Sequence, residues 1–131
     1  MEEVAWQPHA RGQVNERNRA IVRGMPSILS DKHGCDPHHW PVKRSHLSTD
    51  GLLEMVPLTR EEHDLAEKND QWTLCFLETN APSYFCRIYR AYGKGDCYMG
   101  PPERVAEIRR QVEKEDKTRG LLGTTVNGIA V

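Results

Sequence analysis

The pattern of apolar and polar residues predicts four helices and two short strands. Helices are expected over residues 14–24, 60–69, 84–92 and 103–117, and strands over residues 34–39 and 54–58. The segment 80–83, with Pro82 inside it, is typical of a break between helices. The third helix has one apolar face, which we assign to the core and which is formed by Tyr84, Phe85, Ile88 and Tyr92.

The two expected strands and the helix after them form one strand–loop–strand–helix unit. The first strand ends at His38 and His39, and the second contains Pro57, which has no N–H to donate and therefore belongs at an edge or an end of a sheet. Thr59 and Glu62 have the spacing of a capping box, in which each side chain bonds the other residue's amide. A helix is therefore expected to begin at residue 60.

Composition limits the class of protein. The chain has 131 residues and a net charge of −1, whereas a protein that coats nucleic acid is strongly basic. Any contact with DNA must therefore come from a local patch of charge. No apolar run is long enough to cross a membrane and the N-terminus lacks a signal-peptide pattern, so we expect a soluble, intracellular (cytoplasmic) protein.

The four cysteines are Cys35, Cys75, Cys86 and Cys97, and no two of them form a C-x-x-C pair. In a reducing compartment free thiols are the rule. Because Cys75 and Cys86 have apolar neighbours in the sequence, we expect both to lie in the core.

Candidate chemistry is concentrated between residues 38 and 67. His63 and Glu67 are four residues apart on the capped helix, which places both side chains on one face, within reach of one cation. His38 and His39 are adjacent, so on an extended strand their side chains point to opposite sides. If the unit brings the pair against the helix, one histidine can bind metal while the other faces a different atom of the substrate.

These residues resemble the HNH (ββα-metal) endonuclease motif. The stretch DPHHWPVKRS, continued by LLEMVPLTREEHDLAE, is similar to the versions with paired histidines in nuclease colicins and phage-borne HNH proteins. The resemblance covers about residues 34–70. It implies an α+β fold: a ββα-metal motif made of a short two-stranded hairpin and a helix, embedded in additional α-helices.

The resemblance also implies a role for each motif residue. His38, His63 and Glu67 would bind one divalent metal ion, and His39 would be the general base for hydrolysis of DNA phosphodiester bonds. A carboxylate ligand favours Mg²⁺ or Mn²⁺, whereas two imidazoles favour Zn²⁺, Ni²⁺ or Mn²⁺, so the metal stays open.

The chain departs from the family in three respects, one of which is Glu67, where relatives often have a histidine. The motif's central asparagine, which fixes the loop and orients the base, is replaced by Glu54, which could hold the His39 ring N–H as part of the catalytic site or could weaken that site. Many relatives also carry cysteines of a zinc knuckle. Ser27, Thr59 and Glu62 stand at such positions here, so no structural zinc is expected.

Basic residues near the motif are candidate contacts for DNA phosphates. Lys43 and Arg44, just after the histidine pair, are the expected phosphate clamps. Arg17, Arg19 and Arg23 on the first helix would extend this patch.

The expected organisation has four segments. Residues 1–30 are an N-terminal arm and helix, 31–70 the HNH motif, 71–100 a helical support, and 101–131 a charged helix and a flexible tail. The charged helix has an apolar stripe at Val105, Ile108 and Val112.

Three functions remain open. The first is a metal-dependent DNA endonuclease, for which a phage origin and a protein partner supplying DNA affinity fit the resemblance and the low net charge. The second is a weakened HNH module that binds nucleic acid or acts as a scaffold in a larger complex. The third is a structural metal module, which would unfold when the metal is chelated.

Overall fold

A computed structural model describes residues 15–41, 49–127, 129 and 130, with side chains up to residue 119. In chain order the elements are α1 (Glu16–Arg23), β1 (Asp36–His39), a 3-10 turn (Leu52–Glu54), β2 (Met55–Leu58), α2 (Arg60–Glu67), α3 (Gln71–Tyr92), α4 (Pro102–Thr125), β3 (Val126–Asn127) and β4 (Ile129–Ala130). This order confirms the expected α+β class. Lys43 and Arg44 lie outside the described residues.

Strands β1 and β2 form an antiparallel pair directly before α2. His38 is paired with Val56 and His39 with Met55. Pro57 lies opposite Pro37, and neither residue has an N–H to donate. A two-stranded sheet consists only of edges, which explains why both prolines are tolerated.

The capping box at the start of α2 is confirmed. The Glu62 amide donates to Thr59 Oγ1 at 3.2 Å, and the Thr59 amide donates to Glu62 Oε1 at 2.9 Å. Ser27 Oγ donates to the same carboxylate oxygen at 2.6 Å. Ser27, Thr59 and Glu62 are thus joined by hydrogen bonds, which tie the segment before β1 to the first turn of α2.

The predicted break at residues 80–83 was wrong, because α3 continues through Pro82. A proline inside a helix removes one backbone hydrogen bond and crowds the preceding turn. Next to this position, Asn80 Nδ2 donates to the Phe76 carbonyl at 2.8 Å and Thr79 Oγ1 donates to the Cys75 carbonyl at 3.0 Å. The buried face of α3 extends on both sides of Pro82, so its packing maintains the helix.

The core draws on α1, β2, the 3-10 turn and all the later helices. The apolar face assigned to α3 is confirmed for Tyr84, Phe85 and Ile88, which are buried, and Tyr92 packs against them. Cys86 is buried as expected, but Cys75 is exposed, because it lies on the other side of α3 from the buried residues. All four cysteines are free.

Helix α4 is longer than the sequence predicts. Its stripe is confirmed, since Ile108 and Val112 are buried and Val105 packs against the core. The helix runs to Thr125 instead of ending near residue 117, because Gly120 and Gly123 cost only about 1 kcal/mol each in a helix and do not end it. Among the described residues, no helix is both long enough and apolar enough to cross a bilayer.

Candidate metal and general-base site

Three residues of the motif converge on one point. His38, at the third position of β1, meets the face of α2 that carries His63 and Glu67. The rings of His38 and His63 are in edge-to-face contact, with centroids 4.7 Å apart. His38 Nδ1 lies 3.7 Å from Glu67 Oε2. The antiparallel β1–β2 pair and the fixed start of α2 bring these residues together.

The spacing of these side chains fits a single cation. One ligand atom from each residue lies within 4.8 Å of the other two. Neighbouring ligands of a tetrahedral ion, each at about 2.1 Å from it, lie about 3.4 Å apart, so the ligand atoms need to approach one another by up to about 1.4 Å. The Glu67 side chain is 50% exposed and free to make that adjustment, whereas His38 is only 4% exposed and held in place.

The chemistry of the donor set also fits a catalytic cation. Two imidazoles and one carboxylate form a ligand set found in catalytic zinc sites, where other coordination positions stay open for water or substrate. His38 on β1 is buried, whereas Glu67 is half exposed. The site is therefore closed on the β1 side and open to solvent on the side of Glu67.

The second histidine of the pair has a different environment. His39 Nε2 lies 2.8 Å from Asp50 Oδ1, and both side chains are buried. In the sequence, Glu54 was the candidate for holding this ring. The structure shows that Asp50, four residues earlier, makes the hydrogen bond with His39.

Asp50 is fixed by donors from α1. Its Oδ2 accepts from the Asn15 amide at 2.8 Å and from Arg19 Nε at 2.9 Å. Burial alone would raise the pKa of Asp50. The hydrogen bonds from Asn15, Arg19 and His39, together with the Arg19 charge, outweigh burial and lower the pKa below its usual value. Asp50 is therefore a stable carboxylate at neutral pH.

Glu54 holds the end of the loop that leads to Asp50. Its Oε1 accepts from the Thr49 amide at 3.1 Å and from the Thr49 hydroxyl. Burial raises the pKa of Glu54, although the bonds from Thr49 and the nearby Arg104 oppose that shift. The motif's central asparagine fixes the loop and orients the base. The contacts of Glu54 match the first of these roles and not the second.

The backbone around Asp50 packs closely against residues 98–100. The Leu52 amide donates to the Tyr98 carbonyl at 3.2 Å, and the Leu53 amide to the Met99 carbonyl at 2.9 Å. A Cβ atom at Gly51 would lie 2.5 Å from the Cα of Gly100, closer than atoms can approach. Only glycine fits at position 51, immediately after the residue that holds His39.

The predicted phosphate contacts on α1 all have carboxylate partners. Arg17 pairs with Asp96 at 2.7 Å on the surface, and Arg23 pairs with Glu16 at 3.1 Å. Arg19 is mostly buried against Asp50. The structure therefore brings Arg19 into the site as a support for Asp50, and the phosphate role of the three arginines stays a prediction.

Asp50 and its contacts with α1 were not predicted. Residue 50 lies between the two expected strands, and it has no spacing relation to the histidines that marks it. One signal was present: Asp50 is followed by Gly51, a pair typical of the ends of loops, and the 3-10 turn Leu52–Glu54 begins directly after it.

Comparisons of the chain with protein-family models, curated proteins and solved structures found no match. The resemblance to HNH endonucleases therefore rests on the motif residues of the sequence.

Proposed function

We propose that the chain is a metal-dependent endonuclease of the HNH type that hydrolyses DNA phosphodiester bonds. One observation carries the proposal. His38, His63 and Glu67 lie close enough together to hold a cation, while the residue next to His38 is a histidine whose ring is hydrogen-bonded to a buried carboxylate. A purely structural metal site does not need such a histidine beside it.

The metal-binding residues would act as follows. His38 and His63 would donate imidazole lone pairs and Glu67 a carboxylate oxygen, which leaves positions open on the solvent side. A bound divalent cation supplies Lewis-acid stabilisation of the phosphate and of the leaving 3′-oxygen.

His39 would be the general base. In neutral imidazole one ring nitrogen carries the proton and the other a lone pair. Because Asp50 is ionised and accepts only, it favours the proton on Nε2 and leaves the lone pair on Nδ1. Nδ1 would take a proton from water as the water oxygen bonds to phosphorus and the bond to the 3′-oxygen breaks.

The charges of the chain limit how strongly it could bind DNA. Each α1 arginine has a carboxylate partner, and the chain has a net charge of −1. We propose that DNA is held by a small local patch that includes Lys43 and Arg44, supplemented by a protein partner of basic character. Such binding would be weak and strongly dependent on salt.

A plasmid-cleavage assay with a panel of metals tests the proposal. Supercoiled and single-stranded DNA are incubated with the protein and Mg²⁺, Mn²⁺, Zn²⁺ or Ni²⁺, with EDTA as the control. We expect cleavage with at least one metal and none in EDTA. Metal-dependent DNA binding without cleavage would instead support the weakened binding module.

Thermal denaturation in EDTA separates the third alternative. A structural metal module unfolds when its ion is removed. In the proposed enzyme, the core is built from apolar side chains and includes none of the three candidate ligands, so we expect the apo protein to remain folded.

A further inference from the structure

We infer that Asp50 positions the general base, and that Arg19 on α1 holds Asp50 for this purpose. The inference rests on the proposed function for its catalytic meaning. Its structural content, an Arg19–Asp50–His39 relay, stands on contacts that need neither metal nor DNA.

Every interaction of the Asp50 carboxylate favours one orientation. Its side chain is fully buried, with Oδ1 directed at His39 and Oδ2 at two donors on α1, the Asn15 amide and Arg19 Nε. The backbone is held as well, because Asn18 Nδ2 donates to the Asp50 carbonyl at 2.7 Å. Three residues of α1 and its cap thus fix one aspartate.

This arrangement decides which nitrogen of His39 can act. An ionised carboxylate has no proton to donate, so the His39 nitrogen facing it must be the donor. In neutral His39 the proton therefore lies on Nε2, and Nδ1 is the nitrogen that would act as the base. The hydrogen bond to Asp50 also fixes the orientation of the His39 ring.

The same carboxylate acts after the proton has moved. When Nδ1 gains a proton from water, the His39 ring becomes a cation beside the buried, negatively charged Asp50. That attraction stabilises the state in which the water oxygen bonds to phosphorus and the electron pair of the broken P–O bond moves to the 3′-oxygen. The hydrogen bond from Arg19 helps to lower the pKa of Asp50, so Asp50 does not take the proton itself.

Asp50→Asn tests the relay. Asparagine has one side-chain oxygen, which can accept hydrogen bonds either from Arg19 and the Asn15 amide or from the His39 ring. We expect it to accept from Arg19 and Asn15, because these are two donors against a single ring N–H. The amide NH₂ would then face His39 Nε2 and move the ring proton to Nδ1. We expect the single-turnover cleavage rate to fall about 100-fold, with DNA and metal affinities nearly unchanged.

The ring proton is read directly by ¹⁵N NMR of the metal-free protein. We expect the Nε2–H form of His39 in the wild type and the Nδ1–H form in Asp50→Asn. Asp96→Asn is the matched control, since Asp96 also pairs with an α1 arginine but on the surface. It should keep both the wild-type His39 signal and the wild-type rate.

Arg19→Gln supplies a second variant that keeps Asp50. We expect it to lower the rate about tenfold without changing DNA affinity by more than about threefold. The inference would be overturned if Asp50→Asn kept both the wild-type position of the His39 proton and the wild-type cleavage rate. If Asp50→Asn does not fold, an Arg19→Gln variant that cleaves at the wild-type rate would overturn it. If the wild type cleaves no DNA, the proposed function fails, while the NMR spectra still decide whether Asp50 sets the His39 tautomer.

Discussion

The rings of His38 and His63 meet edge to face at a centroid distance of 4.7 Å, although the two residues belong to different elements. His38 is on β1 and His63 is one turn into α2. The contact is the geometric basis for the metal predictions below.

Metal binding should raise the thermal stability of the folded chain. A ligand at 100 times its dissociation constant stabilises by about 2.7 kcal/mol, which corresponds to a shift of roughly 10 °C in Tm for a domain of this size. We expect such a shift with Zn²⁺ or Mn²⁺, measured by differential scanning fluorimetry. His63→Ala and Glu67→Gln should abolish or strongly reduce it, whereas His33→Ala, which removes an exposed histidine, should not.

Glu54→Gln and Glu54→Ala separate the loop-fixing role of Glu54 from its charge. A glutamine oxygen can still accept from the Thr49 amide and hydroxyl, so we expect cleavage within about threefold of the wild type. Alanine releases Thr49 and should lower the rate by about tenfold or more. Equal losses in both variants would show that the charge of Glu54 is what the site needs.

The pH dependence of stability should change in Glu54→Gln. Because the folded-state pKa of Glu54 is raised above 4.5, the unfolded chain ionises more readily and Glu54 destabilises the fold as pH rises through that raised value. The glutamine variant does not titrate. Its stability relative to the wild type should therefore increase between about pH 4 and pH 7, as measured by urea denaturation at several pH values.

Gly51→Ala should damage the site through the backbone. The added methyl group collides with the Gly100 Cα and the Met99 carbonyl, both of which are backbone atoms. We expect a loss of about 2 kcal/mol in the free energy of unfolding, together with a displaced Asp50 and reduced cleavage. Gly34→Ala would be a poor control because of its positive φ; Gly24→Ala, where a Cβ atom meets nothing closer than 3.6 Å, is the suitable one. A fully active Gly51→Ala variant would contradict the close approach.

Lys43 and Arg44 should govern DNA affinity rather than catalysis. Replacing each by alanine should weaken binding similarly for all sequences and reduce the slope of log affinity against log salt by about 1. Arg90→Gln is the control, since Arg90 pairs with Glu115 and Asp116 between α3 and α4. Fluorescence anisotropy at several salt concentrations measures the effect, and an unchanged slope would remove both residues from the DNA contact.

Local signals in the sequence predicted the strand–strand–helix unit well. The capping box of Thr59 and Glu62 sets the start of α2, and with it the shared face of His63 and Glu67. The break at Pro82 was mispredicted because a proline weighs heavily in local sequence, whereas the buried face on both sides of it is a property of the packed helix. The same applies to Cys75, whose apolar neighbours in sequence are not its neighbours in space.

The support of His39 could not be predicted, because it depends on long-range contacts. Asp50 lies 11 residues from His39 and 31 from Arg19, and no periodicity connects these positions. Only the packing of α1 against the loop end brings the three together. The sequence thus identified the candidate ligands, which share short elements, but assigned the orientation of the base to Glu54.

Whether His39 is the general base is decided by comparing metal-dependent cleavage of supercoiled DNA by the wild type and by His39→Ala, with His33→Ala as the control. Removal of a general base lowers the rate by about 10²–10⁴-fold. We expect such a loss in His39→Ala, with metal affinity measured by calorimetry staying near that of the wild type and His33→Ala fully active. Cleavage by His39→Ala at the wild-type rate, with metal bound, would contradict this role of His39.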